Sequence, residues 1–143
     1  MKIVIDNNVI IDALKPNPQF EADAQQILRL ASLKAIDGFV SANSLTDIFY
    51  VLRKELGADK AKIMLQKLLL ILDIIGIDPI DCIDALSLPM NDFEDAMVAV
   101  CAKKIKADFI VTRDKRFIKE KTSVKTVTPE QLIEKIDINA KRG

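Results

Sequence analysis

The sequence contains no histidine among its 143 residues. This absence excludes Ser-His-Asp and Cys-His catalytic machinery, and it excludes any metal site with a histidine ligand. There are two cysteines, Cys82 and Cys101, and they form no C-x-x-C motif. Because both lie in apolar stretches, we expect two free thiols in a reducing cytoplasm, with no disulfide and no thiol nucleophile.

Net charge is absent as well, since 21 basic residues balance 21 acidic ones. Nucleic-acid binding therefore cannot be argued from bulk basicity and would need a local basic patch. The most apolar run, residues 68–77, is short and contains Asp73, so it does not predict a membrane span. The N-terminus lacks the pattern of a signal peptide. We expect a cytoplasmic protein with no membrane partner.

Patterns typical of strands alternate with patterns typical of helices along the whole length. This alternation predicts an α/β fold, with three α/β/α layers around a central, mostly parallel sheet. The length predicts a single domain over residues 1–137, followed by a frayed tail over 138–143. The predicted strands are 2–5, 35–40, 73–77, 108–112 and 124–127, and the predicted helices include 20–33, 44–56, 58–72, 79–86, 91–106 and 128–136.

The first predicted strand stops at Asp6, and an apolar pattern closer to helical spacing resumes three residues later, at Val9. In parallel α/β sheets, ligands bind at the carboxyl ends of the strands, which is where this carboxylate would lie. Asp is also a good N-cap, so Asp6 could serve only to begin the next helix. The residue alone leaves both interpretations open.

Three further acids are predicted to reach the same edge of the sheet. Asp114 follows a strand, while Asp47 and Asp95 lie near the starts of helices that follow strands. Capping alone could explain Asp47, because Ser44-x-x-Asp47 resembles a capping box, and Asp114 could be a turn or cap residue. Asp95 lies beyond the usual cap positions on a helix that looks buried, and a buried carboxylate needs a partner or a metal.

Two neighbours of Asp95 have sufficient structural explanations. Asn91-x-x-Glu94 has the spacing of a capping box, and Asp92 suits the positive end of the helix dipole. We therefore leave Asp92 and Glu94 outside the predicted site.

Carboxylates that converge without histidine or thiolate form an oxygen-only site, which suits Mg²⁺ or Mn²⁺. Because no strong nucleophile accompanies them, the natural chemistry is attack of a metal-activated water on a phosphodiester.

The order of these motifs resembles the PIN domain, a family of metal-dependent ribonucleases typified by VapC-type toxins. The resemblance covers residues 2–136 and rests on strand-Asp6-x-Asn8, Asp47, Asp92-Phe93-Glu94-Asp95-Ala96 and Ile110-Val111-Thr112-Arg113-Asp114-Lys115-Arg116-Phe117. It implies RNA cleavage, a homodimer and an antitoxin partner. It also implies roles for single residues: Asp6, Asp95 and Asp114 as metal ligands, Asp47 as a further catalytic acid, and Asn8 and Thr112 as supporting groups.

The chain departs from the family pattern at two positions. Asn7 stands where Thr or Ser is frequent, and Asp47 stands where the longer Glu is frequent. Direct ligation of a metal by Asp47 is therefore left open.

Two basic clusters are candidates for RNA contacts, which would be made to the backbone and carry little sequence information. Arg113, Lys115 and Arg116 flank Asp114 and are the predicted RNA-binding residues; the other members are Lys103, Lys104, Lys106, Lys119 and Lys121. The alternative is a solvated charged face.

Other phosphate-handling families fit less well. A haloacid dehalogenase-type phosphatase needs an Asp where Asn8 stands, and no Gly-rich phosphate loop is present. The remaining alternative is a PIN-like module that binds RNA or protein with little or no nuclease activity. The presence of all four acids favours the nuclease.

Overall fold

The computed structural model describes residues 1–15 and 17–142. The strands are β1 (Lys2–Ile5), β2 (Asp37–Ser41), β3 (Asp73–Ile75), β4 (Phe109–Val111) and β5 (Lys125–Val127). The helices are α1 (Asn7–Leu14), α2 (Glu21–Ser32), α3 (Ala42–Leu56), α4 (Ala58–Leu68), α5 (Pro79–Ser87), α6 (Phe93–Lys104), α7 (Lys115–Lys119) and α8 (Pro129–Arg142).

All five strands are parallel and form one sheet in the order β3-β2-β1-β4-β5. Each face of the sheet is covered by helices, because the side chains of β1 alternate between two hydrophobic cores. Ile3 and Ile5 pack into the core that includes residues of α1 to α4 and α8, whereas Val4 packs into the core of α5, α6 and α7. The predicted three-layer α/β/α fold is confirmed.

The central strand β1 lies between β2 and β4. The next two strands in the chain, β2 and β3, extend the sheet on one side of β1, and β4 and β5 extend it on the other. The carboxyl ends of β1 and β4 therefore meet at the topological switch point, where ligands bind in open α/β sheets. Backbone pairing continues to this edge, since the amide of Asp6 donates to the carbonyl of Val111 at 3.0 Å.

Helix α6 is buried along most of its length, as its sequence predicts. Its residues from Ala96 to Ala99, together with Cys101 and Ala102, are buried beneath the sheet. Phe93 is an exception, because it starts the helix and its side chain is 47% exposed. Both cysteines are free thiols.

The predicted capping box from Ser44 to Asp47 is wrong. Helix α3 begins at Ala42, with Ser41 as an N-cap that makes no side-chain cap bond. The Ser44 hydroxyl instead pairs with the Ser41 hydroxyl at 2.9 Å. Asp47 therefore lies in the second turn of α3, where capping does not explain it.

Two helix ends also differ from the predictions. Helix α4 ends at Leu68, and the following turn carries Leu72 against Gly38 of β2; a Cβ at Gly38 would lie 2.5 Å from a Leu72 methyl carbon. Helix α8 runs through Arg142 and not to about Ile136, because no glycine or proline interrupts residues 130–142. Of the predicted tail, Gly143 lies outside the described residues. No helix in the described ranges is long and apolar enough to span a bilayer.

Candidate metal centre

Asp6 occupies the centre of the switch-point edge and is only 4% exposed. One of its carboxylate oxygens accepts the Asn7 amide at 2.9 Å and so caps α1. The other accepts the Thr112 hydroxyl at 2.8 Å and the Asn8 side-chain amide at 3.2 Å. Asp6 is thus both the helix cap and a carboxylate fixed in the candidate site.

Thr112 joins the ends of β1 and β4. Its fully buried hydroxyl donates to Asp6 and accepts both the Asn8 side-chain amide and the Asp114 backbone amide, each at 3.1 Å. The side-chain oxygen Oδ1 of Asn8 accepts a hydrogen bond from the Arg113 backbone amide at 3.3 Å. These contacts fix Asp114 relative to Asp6.

Asp95 and Asp114 line one cleft of about 570 Å³, which Asp92, Arg116 and Lys119 also line. Asp92 is the N-cap of α6 and accepts the Asp95 amide at 3.0 Å. In the sequence analysis, Asp92 was assigned to the helix dipole and the cap to Asn91; the predicted cap at Asn91 is wrong, since Asp92 itself is the cap. Asp114 caps α7 in the same way, accepting the Arg116 amide at 2.9 Å.

Asp95 and Asp6 both have a raised pKa, partly because of the acidic side chains beside them. Burial raises the pKa of Asp95 to about 7, assisted by the negative charges of Asp92, Asp6 and Asp114. Burial also raises the pKa of Asp6, and the charges of Asp114 and Asp92 act in the same direction, although the hydrogen bonds from Thr112 and Asn7 oppose them. Because like charges disfavour ionisation only at short range, these acids form one electrostatic cluster.

Asp47 extends the cluster on the side of α3. Its carboxylate accepts the Asn7 side-chain amide at 3.3 Å, and the carboxyl group of Glu94 lies next to it. Burial, and then this contact with Asp47, raise the pKa of Glu94 to about 7. Glu94 and Asn7 were not among the predicted site residues, although they lie next to Asp95 and Asp6 in the sequence.

Within residues 1–15 and 17–142, no three acidic or cysteine side chains stand at distances that would enclose a metal ion. The donor set nevertheless fits a hard cation. Every potential ligand is an oxygen, and Mg²⁺ is usually held by one or two carboxylates while it keeps several waters. A cation would also neutralise the repulsion that raises the pKa values of Asp6 and Asp95.

Arg113 does not point its charge toward the cleft. Its guanidinium forms an ion pair with Asp12, whose side chain is 4% exposed, with one bond of 3.1 Å from the Nη2 atom. The same guanidinium stacks 4.4 Å from the centre of the Phe20 ring, and Asn17 donates to Asp12 at 3.2 Å. The ion pair joins α1 to the segment that carries Thr112 and Asp114. The predicted RNA contact of Arg113 therefore competes with an internal role.

Proteins that resemble this chain share the PIN fold. The chain is 27% identical over 139 residues to Ribonuclease VapC1 of Aquifex aeolicus, and the match covers 94% of each chain. The crystal structure of VapBC2 from Rickettsia felis bound to a promoter DNA fragment matches with a TM-score of 0.68 at 18% identity, covering 90% of this chain and 98% of that one. Mycobacterium tuberculosis VapC20, a toxin that cleaves the sarcin-ricin loop, matches with a TM-score of 0.64 at 15% identity, covering 80% and 92%.

The family model of the PIN domain matches residues 2–116, which include all four predicted acids. This match spans most of the chain, and the switch-point carboxylates lie within it. The chain belongs to the PIN domain family.

Proposed function

We propose that this protein is a metal-dependent endoribonuclease that hydrolyses RNA phosphodiester bonds at the acid cluster. The observation that carries the proposal is the convergence of Asp6, Asp95 and Asp114, which lie after β1, at the start of α6 and after β4. The charges of Asp6 and Asp114 help to raise the pKa of Asp95, and the charge of Asp114 helps to raise the pKa of Asp6. Such a cluster is costly unless it binds a cation or a proton.

The residues of the cluster have distinct roles in this proposal. Asp6, Asp95 and Asp114 hold Mg²⁺ or Mn²⁺, while Thr112 and Asn8 fix the orientation of Asp6. Asp47 and Glu94 lie on the α3 side, and the pKa of Glu94, raised to about 7, allows its carboxyl group to take up or release a proton near neutral pH. When bound, the metal supplies polarisation of the phosphoryl oxygen and activation of a water.

Basic residues beside the acids would contact the RNA backbone. Arg116 and Lys119 line the same cleft as Asp95 and Asp114, and Lys115 is exposed next to them. Phosphate groups approaching a cluster of carboxylates are repelled, so cations at the rim are needed to hold the strand. These contacts would position RNA without selecting its sequence.

We further propose that the protein is the toxin of a toxin–antitoxin pair, acts in the cytoplasm and forms a homodimer. The relatives support the pairing, since the similar solved structures include VapBC complexes and a toxin–antitoxin complex from Klebsiella pneumoniae. A groove of about 370 Å³ between α3 and α4, lined by Leu45, Phe49, Tyr50 and Leu65, offers an apolar surface to an antitoxin segment.

One observation favours a second candidate function, a PIN-like module that binds RNA or protein with little or no nuclease activity. No ready-made cage of three ligands exists among the described residues. If the carboxylates could not close around an ion, the cleft would bind partners without cutting them.

The experiment that decides between these functions is incubation of labelled RNA with the purified protein and Mg²⁺ or Mn²⁺, with EDTA as the control. We expect cleavage that requires the metal, together with Mn²⁺ binding measured by calorimetry. Binding of RNA without cleavage and without measurable Mn²⁺ affinity would support the binding module instead.

Arg113→Lys is expected to lower kcat about tenfold while the KM for RNA stays nearly unchanged. The substitution keeps the charge but removes the planar fork that holds Asp12, and loss of a group that orients ligands typically costs 10- to 100-fold. Steady-state kinetics separates the two roles of Arg113. A raised KM with an unchanged kcat would show that Arg113 binds RNA, as the sequence suggested.

A further inference from the structure

A second cleft of about 570 Å³ lies between α5, α6 and the segment that joins α7 to β5. Its apolar wall is formed by Leu88, Ala99 and Val100, and its basic rim is formed by Lys103 and Lys121. Ser123 adds a hydroxyl to the rim. An apolar wall beside paired cations suits a ligand with a flat apolar part and an anionic part.

The lysines of this cleft are not equivalent. The ammonium group of Lys104 donates to the Gly76 carbonyl at 2.9 Å, to Asp81 at 2.9 Å and to Asp78 at 3.2 Å, so it serves the structure of α5. Over the described ranges, Lys103 and Lys121 form no salt bridge. These two exposed cations are available to a ligand.

The acidic residues that line the cleft do not cancel its positive charge. Asp81 is neutralised by Lys104, and Asp84 is the remaining acid on the α5 side. The cleft therefore presents two uncommitted cations and one uncommitted carboxylate.

Neighbouring residues of the chain line this cleft and the acid cleft on two walls. On α6, Asp95, Ala99 and Lys103 follow one another at four-residue steps, so they lie on one stripe of the helix and span about 12 Å along its axis. On the opposite wall, Lys119 and Glu120 line the acid cleft, and Lys121 lines the second one. A strand that leaves the acids along α6 arrives at Lys103 and Lys121.

We propose that the second cleft is a nucleotide subsite of the RNA strand whose scissile phosphate lies at the acid cluster. A base packs against Leu88, Ala99 and Val100, and the adjoining phosphates contact Lys103 and Lys121. The inference rests on the proposed ribonuclease function and adds the path of the substrate. Because bases of every kind have an apolar face and the phosphates are uniform, the subsite holds single-stranded RNA without reading its sequence.

The test compares Lys103→Gln/Lys121→Gln with Lys60→Gln/Lys62→Gln, a control of equal charge change on exposed residues of α4 in the other helical layer. Both pairs are made in an Asp95→Asn background, and binding of a short fluorescent single-stranded RNA is followed by anisotropy over a series of salt concentrations. For the cleft pair we expect affinity to fall about tenfold and the slope of log K against log salt to become shallower by about 1.4, since each phosphate contact contributes about 0.7. The control pair should change neither quantity appreciably.

Equal affinity and equal salt slope in the two pairs would overturn the subsite, and so would the absence of RNA binding by the background protein. Cleavage by the wild-type protein is measured separately. A subsite that fails while the wild-type protein cleaves leaves the ribonuclease proposal intact. A subsite that holds in a protein that does not cleave supports the RNA-binding module. Thermal unfolding verifies that all variants fold, as expected for exposed lysines.

Discussion

Asp95→Asn is expected to reduce metal-dependent cleavage of RNA by at least about 100-fold, because residues that merely orient metal ligands already cost 10- to 100-fold when changed. The side chain keeps its size and loses the charge that the cation requires. The measurement is the initial rate of RNA cleavage at saturating Mn²⁺, together with the Mn²⁺ dissociation constant from calorimetry. The cleavage rate should fall and the Mn²⁺ dissociation constant should rise, since a metal ligand is lost.

The matched control is Asp137→Asn, the same chemical change on an exposed residue of α8. It should leave both the rate and the metal affinity unchanged. Equal cleavage by the wild type and Asp95→Asn would place the catalytic centre elsewhere or reveal a contaminating nuclease.

The Asp95→Asn variant should be more stable than the wild-type protein when EDTA is present. The pKa of Asp95 is about 7 in the folded protein, above the ordinary value of 3.8, so the ionised carboxylate disfavours the folded state. The penalty begins as the pH rises above about 4, where the unfolded chain ionises, and is complete above about 7. Urea unfolding should therefore show an advantage of Asp95→Asn that is absent at pH 4 and largest at pH 8. An advantage that does not depend on pH would contradict the electrostatic explanation.

Phe117→Ala is expected to lower the free energy of unfolding by about 3 to 5 kcal/mol, the usual cost of removing a buried aromatic side chain. Phe117 is fully buried in the core formed with α6 and β4. Helix α7 has only five residues and could not form by itself, so this side chain anchors it. The loss should appear as a lower urea midpoint and as a melting temperature lower by roughly 10 °C.

The effect of Phe117→Ala should extend to the site, because α7 begins at the cap residue Asp114. RNA cleavage measured well below the melting temperature should fall as well. Phe93→Ala is the stability control, since Phe93 is 47% exposed and its loss should cost less than about 1 kcal/mol. A similar loss of unfolding free energy in Phe117→Ala and Phe93→Ala would mean that α7 does not depend on Phe117.

Much of the candidate site was predictable because it is built from local rules. Asp6 and Asp114 each follow a hydrophobic strand, and parallel strands bring their carboxyl ends to one edge. Asp95 was marked by contrast, as a carboxylate on a helix that is otherwise buried. Each of these signals lies within a few residues of sequence, which is the range over which periodicity and capping are informative.

Other features depended on distant contacts, which no local pattern reveals. Glu94 had an adequate explanation as part of a cap, and only the tertiary fold brings the start of α6 close to Asp47 of α3. Arg113 looked like a basic residue beside an acidic site, and its partner Asp12 is 101 positions away in the chain. The helix start at Ala42 was also misjudged, because Ser44 pairs with Ser41 in the folded interior.

The sequence by itself determined the fold class, the order of strands and helices along the chain, and the absence of histidine ligands, because these follow from composition and from the spacing of apolar residues. The tertiary structure decided which carboxylates share one cleft, which cations remain free and which are already paired. These features depend on distances between side chains that are far apart in the chain, because electrostatic and hydrogen-bond energies change steeply with distance.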